Sequence, residues 1–252
     1  MIVEALVLFW IGAAIGSFLN VIIMRYPAVS LRGRSKCPAC RNTLRWWELI
    51  PLLSFIALHG HCGRCKAPIA IQYPLVELLM GCATAAVFLP LPTSMTTLLT
   101  GVLTVIITSA LAVLFFIDVR LLLLPDGFIA VATAATVLLL AAQGRSPTTA
   151  LWGIVFGTGF LLLLWLLTAG RGIGLGDVKL MVVLGALLGP LSTATALLLA
   201  FAAGALVGLC LLATGRATPK TPIPFGPYLI AATGLVTLMP QLPEYVLGWV
   251  VG

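Results

Sequence analysis

Charge is what this chain has least of. Its 252 residues carry 7 acidic and 14 basic side chains, 8% charged in all, against 61% hydrophobic. Soluble domains hold about 25% charged residues, so the composition excludes a water-exposed globule and describes a membrane protein. The basic stretch that opens a secretion signal is also missing. Glu4 precedes the first apolar run, Ala5 to Met24, and that run outlasts a signal core of roughly 7–15 residues; it is expected to be a retained transmembrane helix. Internal repeats and low-complexity segments are lacking as well. No Gly-x-Gly-x-x-Gly opens a strand–helix unit, which excludes a dinucleotide-binding fingerprint.

What the chain does have is long apolar runs. Stretches of about 20 apolar residues cross ~30 Å of hydrocarbon, and eight are legible: 4–24, 74–91, 95–117, 127–143, 149–168, 178–190, 192–213 and 229–250. The expected fold is an all-α polytopic membrane protein with about eight transmembrane helices. The short sixth run joins the seventh through Gly189-Pro190-Leu191-Ser192, a weak boundary. Alternating the runs collects Arg25, Arg32, Arg34, Lys36, Arg41, Arg45, Arg64, Lys66, Arg120, Arg171, Lys179, Arg216 and Lys220 on one side and leaves Arg145 alone on the other. The crowded side is then cytoplasmic, with both termini outside. The net charge of +7 reports orientation and attraction to anionic lipid, and nucleic acid is not an expected partner.

Residues 25–73 are the one sizeable polar stretch, expected as a small cytoplasmic domain between a first helix (1–24) and the remaining membrane region (74–252). It contains Cys37-Pro38-Ala39-Cys40 and Cys62-Gly63-Arg64-Cys65. Two such knuckles present four thiolates tetrahedrally, which suits zinc, and the reducing cytosol disfavours disulfides. A closed four-cysteine shell makes the metal structural. His59 and His61 are expected as surface residues, and Cys82 and Cys210, inside apolar runs, as packing residues. Trp46-Trp47 with basic neighbours fits a helix or loop lying on lipid headgroups. Asn20 must be hydrogen-bonded near a membrane interior, and Gly16 and Ser17 permit close helix approach; packing and a ligand role both fit. Glu77, a turn inside the second run, either reaches back to the interface or serves a site.

Two aspartates stand at boundaries of apolar runs. Asp118 closes the third run, where the helix macrodipole disfavours an anion, so something else must stabilise it. Asp177 ends the turn Gly172-Ile173-Gly174-Leu175-Gly176-Asp177. A glycine turn at membrane depth is tolerated only where it lines protein or water, as a hydrolytic site does; a helix cap is the plainer alternative for Asp177. Asp126, after Pro125 and before an apolar run, is expected to cap its helix. Arg120 and Lys179, each two residues from an aspartate, either stabilise the carboxylates or serve only orientation. The stiff Pro222-Ile223-Pro224-Phe225-Gly226-Pro227-Tyr228 segment is a substrate edge or a helix start.

Taken in order, these pieces resemble the type IV prepilin peptidases over nearly the whole chain: Gly16-Ser17-Phe18-Leu19-Asn20-Val21 with Arg25-Tyr26-Pro27, the knuckles around Trp46-Trp47-Glu48, Tyr73-Pro74-Leu75-Val76-Glu77, Asp118 with Leu124-Pro125-Asp126, Gly172 to Lys179, and Pro224-Phe225-Gly226-Pro227. The resemblance implies a Gly-x-Gly-Asp aspartyl protease of the bacterial inner membrane with Asp118 and Asp177 as the catalytic pair. It implies cleavage after the leader glycine of a prepilin or pseudopilin at the cytoplasmic face, in pilus or type II secretion systems. It also implies methylation of the new N-terminus from S-adenosylmethionine, an activity associated with the zinc-bound stretch and the first-run motif.

The chemistry can be stated apart from the resemblance. Two carboxylates a few Å apart share a proton, the ionised one activating water and the protonated one donating to the leaving amine. A cation-coupled transporter using Asp118, Asp177 and Glu77 would instead carry carboxylates near midplane in matched halves. These sit at run ends on one side, and the halves do not match. A zinc-and-tryptophan docking scaffold leaves the glycine turn without a purpose.

Overall fold

Apolar residues with few helix breakers form helices because the backbone must satisfy its own hydrogen bonds in hydrocarbon. The computed structural model describes residues 2–27, 33–89, 94–218 and 221–251, with side chains to 247; Arg32 and Lys220, counted above on the basic side, lie outside them. Among the described residues no strand forms, and the helices are α1 (Ile2–Arg25), a 3₁₀ turn (Trp46–Leu49), α2 (Leu53–Ala57), α3 (Gln72–Phe88), α4 (Met95–Leu121), α5 (Asp126–Ala142), α6 (Pro147–Leu167), α7 (Leu175–Leu188), α8 (Pro190–Ala213), α9 (Gly226–Leu238) and α10 (Leu242–Val251).

Four of these, α1, α4, α6 and α8, are long and apolar enough to cross a membrane, so the chain is a multi-pass membrane protein. The helices α3, α5 and α9 are apolar but shorter. At 1.5 Å per residue, the 14 residues of α7 reach only about 21 Å. The weak boundary after α7 is real: Gly189 takes φ +75° and separates α7 from α8. The expected last run, 229–250, is two helices of 13 and 10 residues. Pro240 between them has no N–H to donate and cannot continue a helix.

The chain divides into two compact units, residues 1–113 and 114–252, with the boundary inside α4. In the first unit, α1 packs along α3. Gly12 and Gly16 allow it: a Cβ on Gly16 would meet the Glu77 Cα and the Val76 carbonyl, both at 2.8 Å, and one on Gly12 the Met80 carbonyl. In the second unit, α7 packs against α5, α6, α8 and α9. Its Leu180, Met181, Val183 and Leu184 are almost wholly buried, and Gly153 and Gly185 let α6 and α7 meet backbone to backbone. Many leucines elsewhere are exposed, among them Leu163, Leu166 and Leu167 on α6 and Leu206 and Leu209 on α8. In a membrane protein that surface faces lipid.

Candidate active site and metal centre

Asp118 lies in the last turn of α4, which runs on to Leu121. It is 5% exposed, and the macrodipole of its own helix opposes its charge. The stabiliser is α9. The backbone N–H of Gly226, the first residue of α9, donates to Asp118 Oδ2 at 3.1 Å, so the positive end of one helix offsets the negative end of another. A Cβ at Gly226 would lie 2.7 Å from that oxygen, and only glycine leaves the carboxylate room.

Asp177 is in the first turn of α7, which begins at Leu175. The cap role weighed for it is real: its Oδ2 accepts the Gly174 N–H at 3.2 Å. Capping uses one oxygen only. The other, Oδ1, is buried without a partner, and a buried unpaired acceptor costs about 1–3 kcal/mol. The two carboxylates line one cavity of about 300 Å³ with Leu122, Leu123, Leu124, Asp126, Gly174, Gly176 and Lys179, and the charge on Asp118 acts on Asp177.

Asp126 does not cap α5. Pro125 occupies the cap position with no side-chain bond to the helix end, and Asp126 instead binds Lys179 Nζ through both oxygens, at 2.8 and 3.0 Å. That pair also places Lys179 on Asp126, so it is not the counter-ion of Asp177. Both side chains are more than half exposed, where such a pair is worth about 0–1 kcal/mol.

The metal centre lies wholly in the first unit. Around Cys37 the chain forms a Lys36–Thr43 bridge, Cys37 donates to the Asn42 carbonyl at 3.0 Å, and Arg41 turns back at φ +57° to donate to the Cys37 carbonyl at 2.8 Å. Around Cys62 the same pattern returns: a His61–Pro68 bridge, Cys62 to the Ala67 carbonyl at 2.8 Å, and Lys66 at φ +58° to the Cys62 carbonyl at 3.1 Å. The backbone therefore repeats around two segments that share the cysteine spacing and a basic residue after the second cysteine. Zinc–thiolate bonds of about 2.3 Å put tetrahedral sulfurs about 3.8 Å apart. The four Sγ atoms lie within 4.8 Å of one another, with Cys37 and Cys65 at 3.8 Å, so the cluster fits zinc.

Backbone N–H groups of Cys65 and Arg64 lower the Cys62 thiol to about 6, and that of Asn42 lowers Cys40. Cys65 has the Ala67 N–H in its favour, yet burial and the three neighbouring sulfurs push it up to about 11. Gathering four thiolates is what a cation offsets. His61 bonds the His59 carbonyl at 2.7 Å and is not among the clustered ligands. Trp46 and Trp47 form the 3₁₀ turn, with Trp46 76% exposed, and the Glu48 carboxylate accepts the Arg45 N–H at the start of that turn.

Comparison with known proteins bears on the whole chain. Residues 10–91 match the model of the bacterial peptidase A24 N-terminal domain, and residues 105–209 that of the type IV leader peptidase family. A prepilin leader peptidase/N-methyltransferase of Burkholderia pseudomallei strain 1026b is 36% identical over 270 residues, covering 94% of this chain and 85% of its own. The proteins of that description from Stutzerimonas stutzeri and Pseudomonas aeruginosa are 36% and 34% identical, each covering 91% of this chain and 88% of its own. The chain belongs to the type IV leader peptidase family. No solved structure matches it.

Two residues around these carboxylates are not evident from the sequence. Gly226 was visible only as part of a proline-rich segment; the signal was a glycine between Phe225 and Pro227 at a helix start, whose N–H no residue of its own helix uses. Leu124 is the second. A Cβ on Gly176 would meet Leu124 Cβ at 3.0 Å, and one on Gly226 would meet Leu124 Cδ2 at 3.3 Å. Leu124 is thus wedged between the two glycines that flank the carboxylates, a role that an apolar run of four leucines does not reveal.

Proposed function

We propose that this chain is a bifunctional prepilin or pseudopilin leader peptidase and N-methyltransferase of the bacterial inner membrane, with Asp118 and Asp177 as the peptidase pair. The observation that carries the reading is the arrangement of two buried carboxylates on one cavity, each tied to a backbone N–H through a single oxygen. That geometry leaves each side chain oriented with one oxygen over for chemistry.

The pair shares one proton. The ionised member takes a proton from a water held between the two, and the resulting hydroxyl adds to the carbonyl carbon of the leader glycine. The protonated member stabilises the developing oxyanion and then gives its proton to the amine as the C–N bond breaks. Donors fixed beforehand at the N-termini of α7 and α9 hold the carboxylates with no reorganisation during reaction. The glycine turn and the end of α4 face the cytoplasm by the distribution of basic residues, so a prepilin lying with its apolar helix among the spans brings its scissile bond to the same depth. Eight membrane crossings, with the shorter helices among them, belong to this reading.

The methylation half follows from the kind of protein the relatives are named as. S-adenosylmethionine supplies an electrophilic methyl group to the amine that cleavage releases. The four cysteines hold zinc as a closed staple of the 37–65 loop and take no part in bond making.

Asp118→Asn and Asp177→Asn, each purified and assayed on detergent-solubilised prepilin, test the peptidase reading. Each is expected to lose leader cleavage while keeping its zinc content. Cleavage at the normal rate by either variant overturns the assignment.

A further inference from the structure

The first unit contains a cavity that the peptidase chemistry does not use. It has a volume of about 550 Å³ and lies among α1, α3 and the cysteine loop, inside the roughly 300–1,000 Å³ range of small-molecule sites. Its wall holds one buried acceptor without a donor and one buried carboxylate without a counter-ion. Asn20 is 1% exposed; its Nδ2 donates to the Tyr73 carbonyl at 3.1 Å, which fixes the amide orientation, and its Oδ1 is left without a donor. Glu77 is 7% exposed, accepts the Leu52 N–H at 2.8 Å and a hydrogen bond from the Ser17 side chain, and has no lysine or arginine in ion-pair range among the described residues. An unmatched acceptor and a carboxylate without a counter-ion, both nine-tenths buried, call for a ligand that brings N–H donors and positive charge.

Other parts of the same wall call for more than a cation. Arg34 and Lys36 line the cavity and suit a carboxylate. Phe55 and Tyr73, with Met24, Leu49 and Leu58, supply an apolar and aromatic lining for a flat ring. A sulfonium bearing an amino-acid zwitterion and an adenosine has all three characters. A bare peptide N-terminus has only the positive charge.

We infer that this cavity is the S-adenosylmethionine site, with Glu77 and Asn20 accepting its cationic end and Arg34 and Lys36 its carboxylate. The inference rests on the methyltransferase half of the proposed function. Cys37 and Cys62 are themselves part of the wall, so on this inference zinc fixes the shape of the methyl-donor site. In the transfer, the lone pair of the neutral N-terminal amine forms the N–C bond while the methyl C–S bond breaks. The sulfonium becomes a neutral thioether, and the positive charge passes to the nitrogen.

The test is equilibrium binding of radiolabelled S-adenosylmethionine to the purified full-length protein, with and without a cleaved pilin peptide. Wild type is compared with Glu77→Gln, Asn20→Leu and Ala70→Trp, a substitution that fills the cavity from its wall. Zinc content and thermal unfolding report whether each variant is folded. Folded Glu77→Gln and Asn20→Leu are expected to bind tenfold or more weakly, and Ala70→Trp not measurably. Wild-type affinity in folded Ala70→Trp and Glu77→Gln overturns the inference. So does loss of peptide binding in the variants with methyl-donor binding intact, which would give the cavity to the pilin N-terminus. A wild-type protein that neither binds the methyl donor nor methylates the cleaved peptide instead removes the methyltransferase reading itself.

Discussion

Gly226→Ala is the perturbation that most directly probes how the proposed peptidase site is held. The backbone at Gly226 is the start of a helix with no special φ, so alanine meets no conformational penalty there. Its methyl group does meet Asp118 Oδ2, at 2.7 Å. Relieving this to the 3.4 Å of an ordinary contact moves the carboxylate by about 0.7 Å. That stretches the 3.1 Å bond from the Gly226 N–H past the useful range. The folding cost is that of one hydrogen bond to a charged group, about 1.5–3 kcal/mol, because a carboxylate tip yields more easily than backbone. The catalytic cost is of similar size. Misplacement of a reacting group by about 1 Å costs on the order of 100-fold, or roughly 2.7 kcal/mol of barrier. The assay is the rate of leader removal from solubilised prepilin, followed by mass spectrometry, beside methylation of an already cleaved pilin as a report on the first unit. Gly127→Ala is the control: it lies one residue beyond Asp126, is exposed, and has open space around its Cα. It should cleave normally and gain up to about 1 kcal/mol of helix propensity. A Gly226→Ala protein that cleaves as fast as wild type refutes the claim that the α9 N-terminus positions Asp118.

Other consequences can be checked alongside. Asp118→Asn and Asp177→Asn should each lower cleavage by ~10²–10⁴-fold, the usual worth of a positioned acid or base, with methylation of pre-cleaved pilin preserved. Replacing Cys37, Cys40, Cys62 and Cys65 together by serine should remove bound zinc and depress methylation far more than cleavage; metal analysis with product mass spectra reads both, and undiminished zinc contradicts the four-cysteine site. Lys179→Met breaks only an exposed pair with Asp126, so unfolding should shift by less than about 1 kcal/mol and cleavage within a few-fold; loss of cleavage would mean that Lys179 acts on Asp177 after all. Gly176→Ala presses on Leu124 Cβ at 3.0 Å and leaves the carboxylate untouched. Its cleavage defect should therefore be milder than that of Gly226→Ala.

Composition and spacing by themselves determined the helical membrane class and the paired cysteine knuckles, and placed a glycine turn before Asp177, although the turn is shorter than expected because α7 already begins at Leu175. These depend on local quantities: hydropathy over a run, the reach of two residues between thiols, the freedom of glycine. What only the tertiary structure decided were the partners. Asp118 needed a stabiliser, and nothing near it in the chain identified Gly226, 108 positions away. Asp126 looked like a cap and is instead the counter-ion of Lys179, 53 positions away, because Pro125 takes the cap position. Asn20 and Glu77 read equally well as packing or as a site until α1 and α3 closed over Gly12 and Gly16 and left one oxygen of Asn20 unmatched. A sequence shows which groups are costly to bury; which neighbour meets that cost depends on how distant helix ends pack, and that is set by the whole fold.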